Sequence, residues 1–213
     1  ESADGARTWS APVAADIATG APQVDKLHVG PQALLNLADG GMLMFLYGAY
    51  ALGTLHEEGT WGSAHCQAFC VRSQDDGRTW SAPVNVDDQG QTREGKQIRG
   101  NLDLTEVCAA QMADGSILAL IRPIFSPWMW ETWSRDGGAT WGPCLRGPFP
   151  GYATPNMLRT CSGAVLVAHR LPSLSIHTSQ DEGATWDQGV LIDSGLWCMG
   201  AMLEVEPNVV LYV

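Results

Sequence analysis

Twelve Lys and Arg face 23 Asp and Glu in this chain of 213 residues, a net charge of −11, so an anion can be held only where guanidinium groups cluster. Two arginines have matching positions. Arg122 closes the apolar run Ala119-Leu120-Ile121 and Arg170 follows Ala168-His169, each seven residues beyond a turn glycine, Gly115 and Gly163. If the two segments are equivalent strands, both guanidiniums reach the same depth on the same side, and such a pair matches a carboxylate in bidentate geometry. The competing reading is two solvated or salt-bridged strand ends. Tyr47 holds the equivalent place after Gly40. Glu106, nine residues before Gly115, stands where it can serve this pair as a base or act as a hydrogen-bonded residue of a central channel. His169 alternates to the opposite strand face from Arg170 and reads as structural.

The elements that must position these groups are announced by a repeat. Ser-x-Asp-x-Gly-x-Thr-Trp occurs at 73–80, 134–141 and 179–186, with a blurred copy at 2–9 in which Ala6 stands where the glycine falls elsewhere. In each copy the carboxylate (Asp75, Asp136, Asp181) can accept bonds from turn amides, the glycine permits positive φ, and the Trp anchors the next strand in apolar surroundings. The first copy is expected to be distorted or shifted in register.

Between these turns a second pattern recurs, an apolar strand, a tight turn and another apolar strand: 33–37 and 42–46 around Ala38-Asp39-Gly40, 107–112 and 117–121 around Ala113-Asp114-Gly115, 156–158 and 165–168 around Cys161-Ser162-Gly163, and 201–205 and 209–213 around Glu206-Pro207-Asn208. Asp-Gly between apolar runs is a strong hairpin signal. Each unit reads strand A, hairpin, strand B, loop, strand C, repeat turn, strand D. That is a four-stranded antiparallel blade, and blades arranged radially make an all-β propeller. The loop-side connections are expected at 48–64, 87–102, 122–130 and 146–154, where a site belongs. Residues 1–213 are expected to form one partial propeller domain, because a six-bladed ring at this spacing needs roughly 350 residues. A closed four-bladed ring completed by residues 7–13 is the alternative. A partial ring would expose blade edges and self-associate.

Composition narrows the partners. With 45% hydrophobic and 16% charged residues, 24 Gly, 12 Pro and 9 Trp, the chain reads as a turn-rich, aromatic-anchored soluble domain. The negative charge argues against a nucleic-acid partner. No apolar run approaches the roughly 20 residues of a membrane span. Of six Cys, Cys66 and Cys70 lie near His65 but lack a second ligand pair, so neither a metal nor a cofactor is expected. Buried free thiols are the default.

The eight-residue repeat is the Asp box, and the order of features resembles that of the sialidase (neuraminidase) superfamily: Asp75 box, Glu106, Arg122, Asp136 box, Arg170, Asp181 box. The resemblance spans essentially the whole chain. It implies an exo-acting glycoside hydrolase that binds the carboxylate of a terminal acidic sugar of the sialic acid class with three Arg, protonates the leaving oxygen with an Asp, and attacks with a Tyr assisted by a Glu. Glu106 would be that base, and Arg122 and Arg170 two of the three clamps. The first Arg and the acid Asp would precede residue 1, so the chain by itself is expected to be an inactive fragment. The Tyr belongs after the Asp181 box, where Trp197 stands. Tyr152 is a candidate substitute, and Tyr152, Trp128 and Trp197 are candidate contacts to a sugar ring, although each serves equally well as a packing anchor. The resemblance favours a secreted or periplasmic location and a glycan or glycoconjugate substrate. A non-catalytic propeller that binds glycan or protein is the alternative, and a third reading is an assembly scaffold.

Overall fold

The computed structural model of the chain describes residues 2–12, 14–15, 17, 24–50, 65–86, 104–124, 126–195 and 200–213, with backbone only at 24–27, 31, 33, 49–50 and 65–66. Trp197 and the segments 51–64 and 87–103, which contain most of two expected loops, lie outside the described residues.

The Asp boxes close on a single plan. Ser73 Oγ donates to Asp75 Oδ1 at 2.9 Å and accepts from the Gly77 N–H at 2.9 Å, while the Thr79 amide and hydroxyl donate to the two Asp75 oxygens at 2.8 and 2.7 Å. Boxes 134–141 and 179–186 repeat this bonding. The Thr79 hydroxyl and amide hold the Asp75 carboxyl down at about 2. Each turn needs two consecutive left-handed residues, φ 57° and 78° at Asp76 and Gly77. The first copy departs from expectation: it is neither distorted nor re-registered. Ala6 itself takes φ 66° after Gly5 at 71°, and Asp4 receives the same Ser2 and Thr8 bonds. An alanine tolerates that region at a cost of about 1 kcal/mol, which four local hydrogen bonds offset. Its Trp9 is 70% exposed rather than anchored.

Every element among the described residues is a β-strand. β1 (Val24–Asn36), β2 (Met42–Tyr50), β3 (His65–Ser73) and β4 (Val84–Asn85) form one antiparallel sheet in chain order. β5 (Leu104–Gln111), β6 (Ile117–Pro123), β7 (Trp128–Ser134) and β8 (Leu145–Pro150) form the second, and β9 (Asn156–Arg159), β10 (Val165–Arg170), β11 (Leu174–Ser179) and β12 (Val190–Asp193) the third. β13 (Met202–Glu206) and β14 (Val209–Tyr212) pair as a hairpin. These are propeller blades of the expected strand order. Three bounds differ from expectation, one being the expected loop at 122–130, which β6 and β7 narrow to the stretch between Pro123 and Trp128. β1 begins earlier, with a register shift between Val29 and Leu34 where Pro31 removes a donor. The expected loop at 146–154 is mostly strand β8, leaving a connection of only 151–155.

Both faces of the second blade are buried, and the two-residue strand period divides them. Val107, Ala109, Ile117, Ala119 and Ile121 pack toward the first blade with Phe45 and Cys70. Cys108, Ala110, Leu118 and Leu120 pack toward the third with Met157 and Val167. Burial raises the Cys70 thiol to about 11. The box tryptophans secure the contacts between blades: Trp141 meets Phe45 edge-on at 6.0 Å and Trp186 meets Phe149 at 5.2 Å. At the axis the Gln32 amide joins three inner strands. Its Nε2 donates to the carbonyls of Ala109 and Met157 at 2.9 Å each, and its Oε1 accepts from the Met157 N–H at 2.8 Å. Asn156 Oδ1 likewise accepts from the Met202 N–H at 3.0 Å.

Candidate functional site

Arg122 stands near the end of β6 and Arg170 at the end of β10, the second strands of adjacent blades. The antiparallel register pairs Gln111 with Ile117 beside the hairpin turn and Leu104 with Pro123 at the far end. Arg122 and the early β5 residue Glu106 are therefore brought to the face opposite the Asp boxes.

Glu106 is 6% exposed, and both carboxylate oxygens are engaged. Oε1 lies 3.1 Å from Arg122 Nη1, and Oε2 accepts from the Thr154 N–H at 2.6 Å. Burying this charge is tolerable because it is paired and hydrogen-bonded. Arg122 then lies over the Tyr152 ring, its Cζ 4.3 Å from the centroid, a cation–π arrangement. The Tyr152 carbonyl accepts from the Arg170 N–H at 2.9 Å, and the Gly151 N–H donates to the Pro127 carbonyl at 2.8 Å. The structure thus gathers Glu106, Arg122 and Tyr152 into one cluster and ties Arg170 to it through the backbone.

The 151–155 connection makes this possible through an unusual backbone. Ala153 and Thr154 are consecutive left-handed residues at φ 48° and 49°, a conformation that costs about 1–2 kcal/mol for each side chain bearing a Cβ. The charge-assisted bond from the Thr154 N–H to Glu106 offsets part of that cost. Gly151 is required by close approach: a Cβ there would sit 2.6 Å from Met129 Cγ. Thr154 is the participant that sequence reasoning missed, since no local pattern marks a Thr-Pro step as left-handed.

One face of the Trp128 ring is covered by Arg146, whose Cζ is 3.8 Å from the centroid. Trp197 is outside the described residues. Asp75, Asp136 and Asp181 sit in their turns on the opposite face, engaged with their own Ser and Thr. His169, beside Arg170, is 1% exposed and stacks with Phe149 and His177 at 5.7 and 5.2 Å. Burial, and secondarily His177, lowers it to about 4. Cys70 and Cys108 are buried free thiols, whereas Cys161, in the 161–163 turn, is exposed, against expectation.

Comparison with known proteins places this architecture. The BNR repeat-like domain family matches residues 1–200. No curated protein sequence matches the chain. Among solved structures, the NanB sialidase from Streptococcus pneumoniae superposes with a TM-score of 0.66 at 12% identity, covering 92% of this chain and 48% of that one. The intramolecular trans-sialidase from Ruminococcus gnavus gives 0.63 at 19% identity, covering 94% and 42%. The Hadza microbial sialidase Hz136 gives 0.54 at 20% identity, covering 87% and 40%. The chain spans less than half the length of each of these structures. It belongs to the BNR repeat-like domain family, and its blades have the fold of the sialidase β-propellers.

Proposed function

We propose that the protein is a sialidase-like exo-glycoside hydrolase that releases a terminal acidic sugar of the sialic acid class from glycoconjugates. The observation that carries this reading is the buried Glu106–Arg122 pair at 3.1 Å, joined through Tyr152 to Arg170 on the loop face of a propeller fold. In an acidic chain, two guanidinium side chains at equivalent strand ends are suited to a substrate carboxylate. Glu106 keeps Arg122 in a fixed orientation and lies beside the Tyr152 loop, where a carboxylate can assist a phenol. A neutral phenol approaches an anomeric centre bearing a carboxylate with less repulsion than a second carboxylate would, which gives Tyr152 a physical rationale as the attacking group or as a sugar contact. Overall, water adds across the anomeric C–O bond, and the acidic sugar and an alcohol are released. This reading takes residues 1–213 as one partial propeller domain that supplies Glu106, Arg122 and Arg170 to the site.

Turnover of a fluorogenic sialoside by the full-length protein tests the proposal. Activity abolished by Glu106→Gln and Arg122→Ala is the expected result. Full turnover in both variants overturns the assignment, and saturable glycan binding without turnover in the unaltered protein selects the non-catalytic reading.

A further inference from the structure

The Asp-box face carries a groove of about 720 Å³ that the reading above does not use. It lies between the second and third blades, with Trp133 and Trp141 among its lining residues and Asp114, Arg135 and Thr140 also bordering it. That volume is within the range of small-ligand sites.

In the preceding blade the equivalent position is filled. Arg72 is the residue before the Asp75 box, as Trp133 is before the Asp136 box. Arg72 closes its own junction: its guanidinium bonds the Asp39 carboxylate and the Gly137 carbonyl, and Gln74 accepts from its Nε. Asp39 and Asp114 occupy the same place in their hairpin turns. In the second blade an indole replaces the guanidinium, so the plug is missing and a groove opens. Asp114 Oδ1 accepts from the Ser116 amide and hydroxyl at 2.9 and 2.5 Å, while Oδ2 has no hydrogen-bond partner among the described residues. The exposed Arg135 guanidinium likewise makes no hydrogen bond or ion pair with a described residue, although it acts electrostatically on Asp114. The equivalent of Gly137 in the next box is Glu182, which is committed to Arg159 at 2.9 Å and to the Ala113 N–H at 3.1 Å.

We propose that this groove is a second glycan-binding site, remote from the Glu106 cluster, which takes a neutral sugar ring against Trp133 and Trp141. The apolar C–H face of a pyranose packs on indole, and its vicinal hydroxyls donate to Asp114 and accept from Arg135. A basic side chain, the chemistry of the Arg72 plug, fits less well because Arg135 repels it.

The test is titration of the purified protein with neutral glycosides, methyl β-galactoside, methyl β-glucoside and lactose, followed by tryptophan fluorescence and by the indole N–H resonances. Saturable binding to at least one is expected, with shifts at Trp133 and Trp141. Asp114→Ala or Arg135→Ala, both at exposed turn positions, weakens it about tenfold. Trp133→Arg, which rebuilds the first-blade plug, removes it. Turnover of a sialoside, if present, is unchanged by Asp114→Ala, so failure here is distinguishable from failure of the hydrolase reading. The proposal is overturned if the whole panel leaves the indole signals unmoved, or if binding survives all three substitutions. Saturation by arginine methyl ester without any sugar response also overturns it, and would give the groove to a basic partner.

Discussion

Glu106 and Arg122 stand on neighbouring antiparallel strands and meet at 3.1 Å with side chains only 9% and 17% exposed. Removing one partner of such a pair strands the other charge in a poorly solvated place. Glu106→Ala, which also leaves the Thr154 N–H without its acceptor, is expected to destabilise the protein by about 3 kcal/mol. Glu106→Gln retains an acceptor and should cost about half as much. Urea unfolding of the two variants measures the difference, and equal small losses would show that the pair does not hold the loop.

The left-handed connection makes a paired prediction. Ala153→Gly removes steric strain at φ 48° and should stabilise by about 0.5–1 kcal/mol. Gly151→Ala introduces a Cβ 2.6 Å from Met129 Cγ and 3.4 Å from His169 Cδ2, and should destabilise by about 1–3 kcal/mol. Thermal melts of both variants should move in opposite directions. Movement in the same direction would contradict the backbone assignment.

Gln32 should be costly to replace. Gln32→Leu leaves the buried polar backbone groups of Ala109 and Met157 without the partners they now have, an expected loss of about 2–4 kcal/mol. Hydrogen exchange should accelerate first at the Met157 amide, and an unchanged rate there would rule out the bridge.

His169 sets an acid limit on stability. Neither ring nitrogen has a hydrogen-bond partner among the described residues, and burial beside His177 lowers the group from 6.5 to about 4. The unfolded chain therefore binds the proton first. Stability is unaffected above about pH 6.5, falls as pH drops from there to about 4, and has then lost about 3 kcal/mol to this group. The Asp boxes act lower, since Asp75 is held at about 2 and its contribution disappears only as pH falls from the ordinary carboxylate range toward that value. His169→Phe should flatten the decline of Tm between pH 6.5 and 4. An unaltered slope would assign the decline to other groups.

Blade architecture was legible because its signals are local. Asp39-Gly40 and Asp114-Gly115 mark hairpins through their own turn chemistry, and the Asp boxes close through Ser, Asp and Thr within eight residues. The matching depth of Arg122 and Arg170 was readable for the same reason, as a count from turn glycines. What was not readable depends on distant or unusual backbone. Ala6 was expected to disturb its turn, yet it takes the glycine's conformation. The seat of Tyr152 against Arg122 depends on two consecutive left-handed residues that no residue type requires. Gln32 acts across three strands, and a polar residue after Gly30-Pro31 gives no hint of that.

The central claim is that Arg122 and Arg170 recognise a carboxylate on the sugar. Calorimetric titration of the full-length protein with sialic acid and with its methyl ester tests this most directly, because the ester keeps the sugar and removes the charge. The acid should bind at least about tenfold more tightly, the value of one charge-assisted hydrogen bond, and Arg122→Ala should erase the difference. Equal affinity for acid and ester in the unaltered protein would contradict the account.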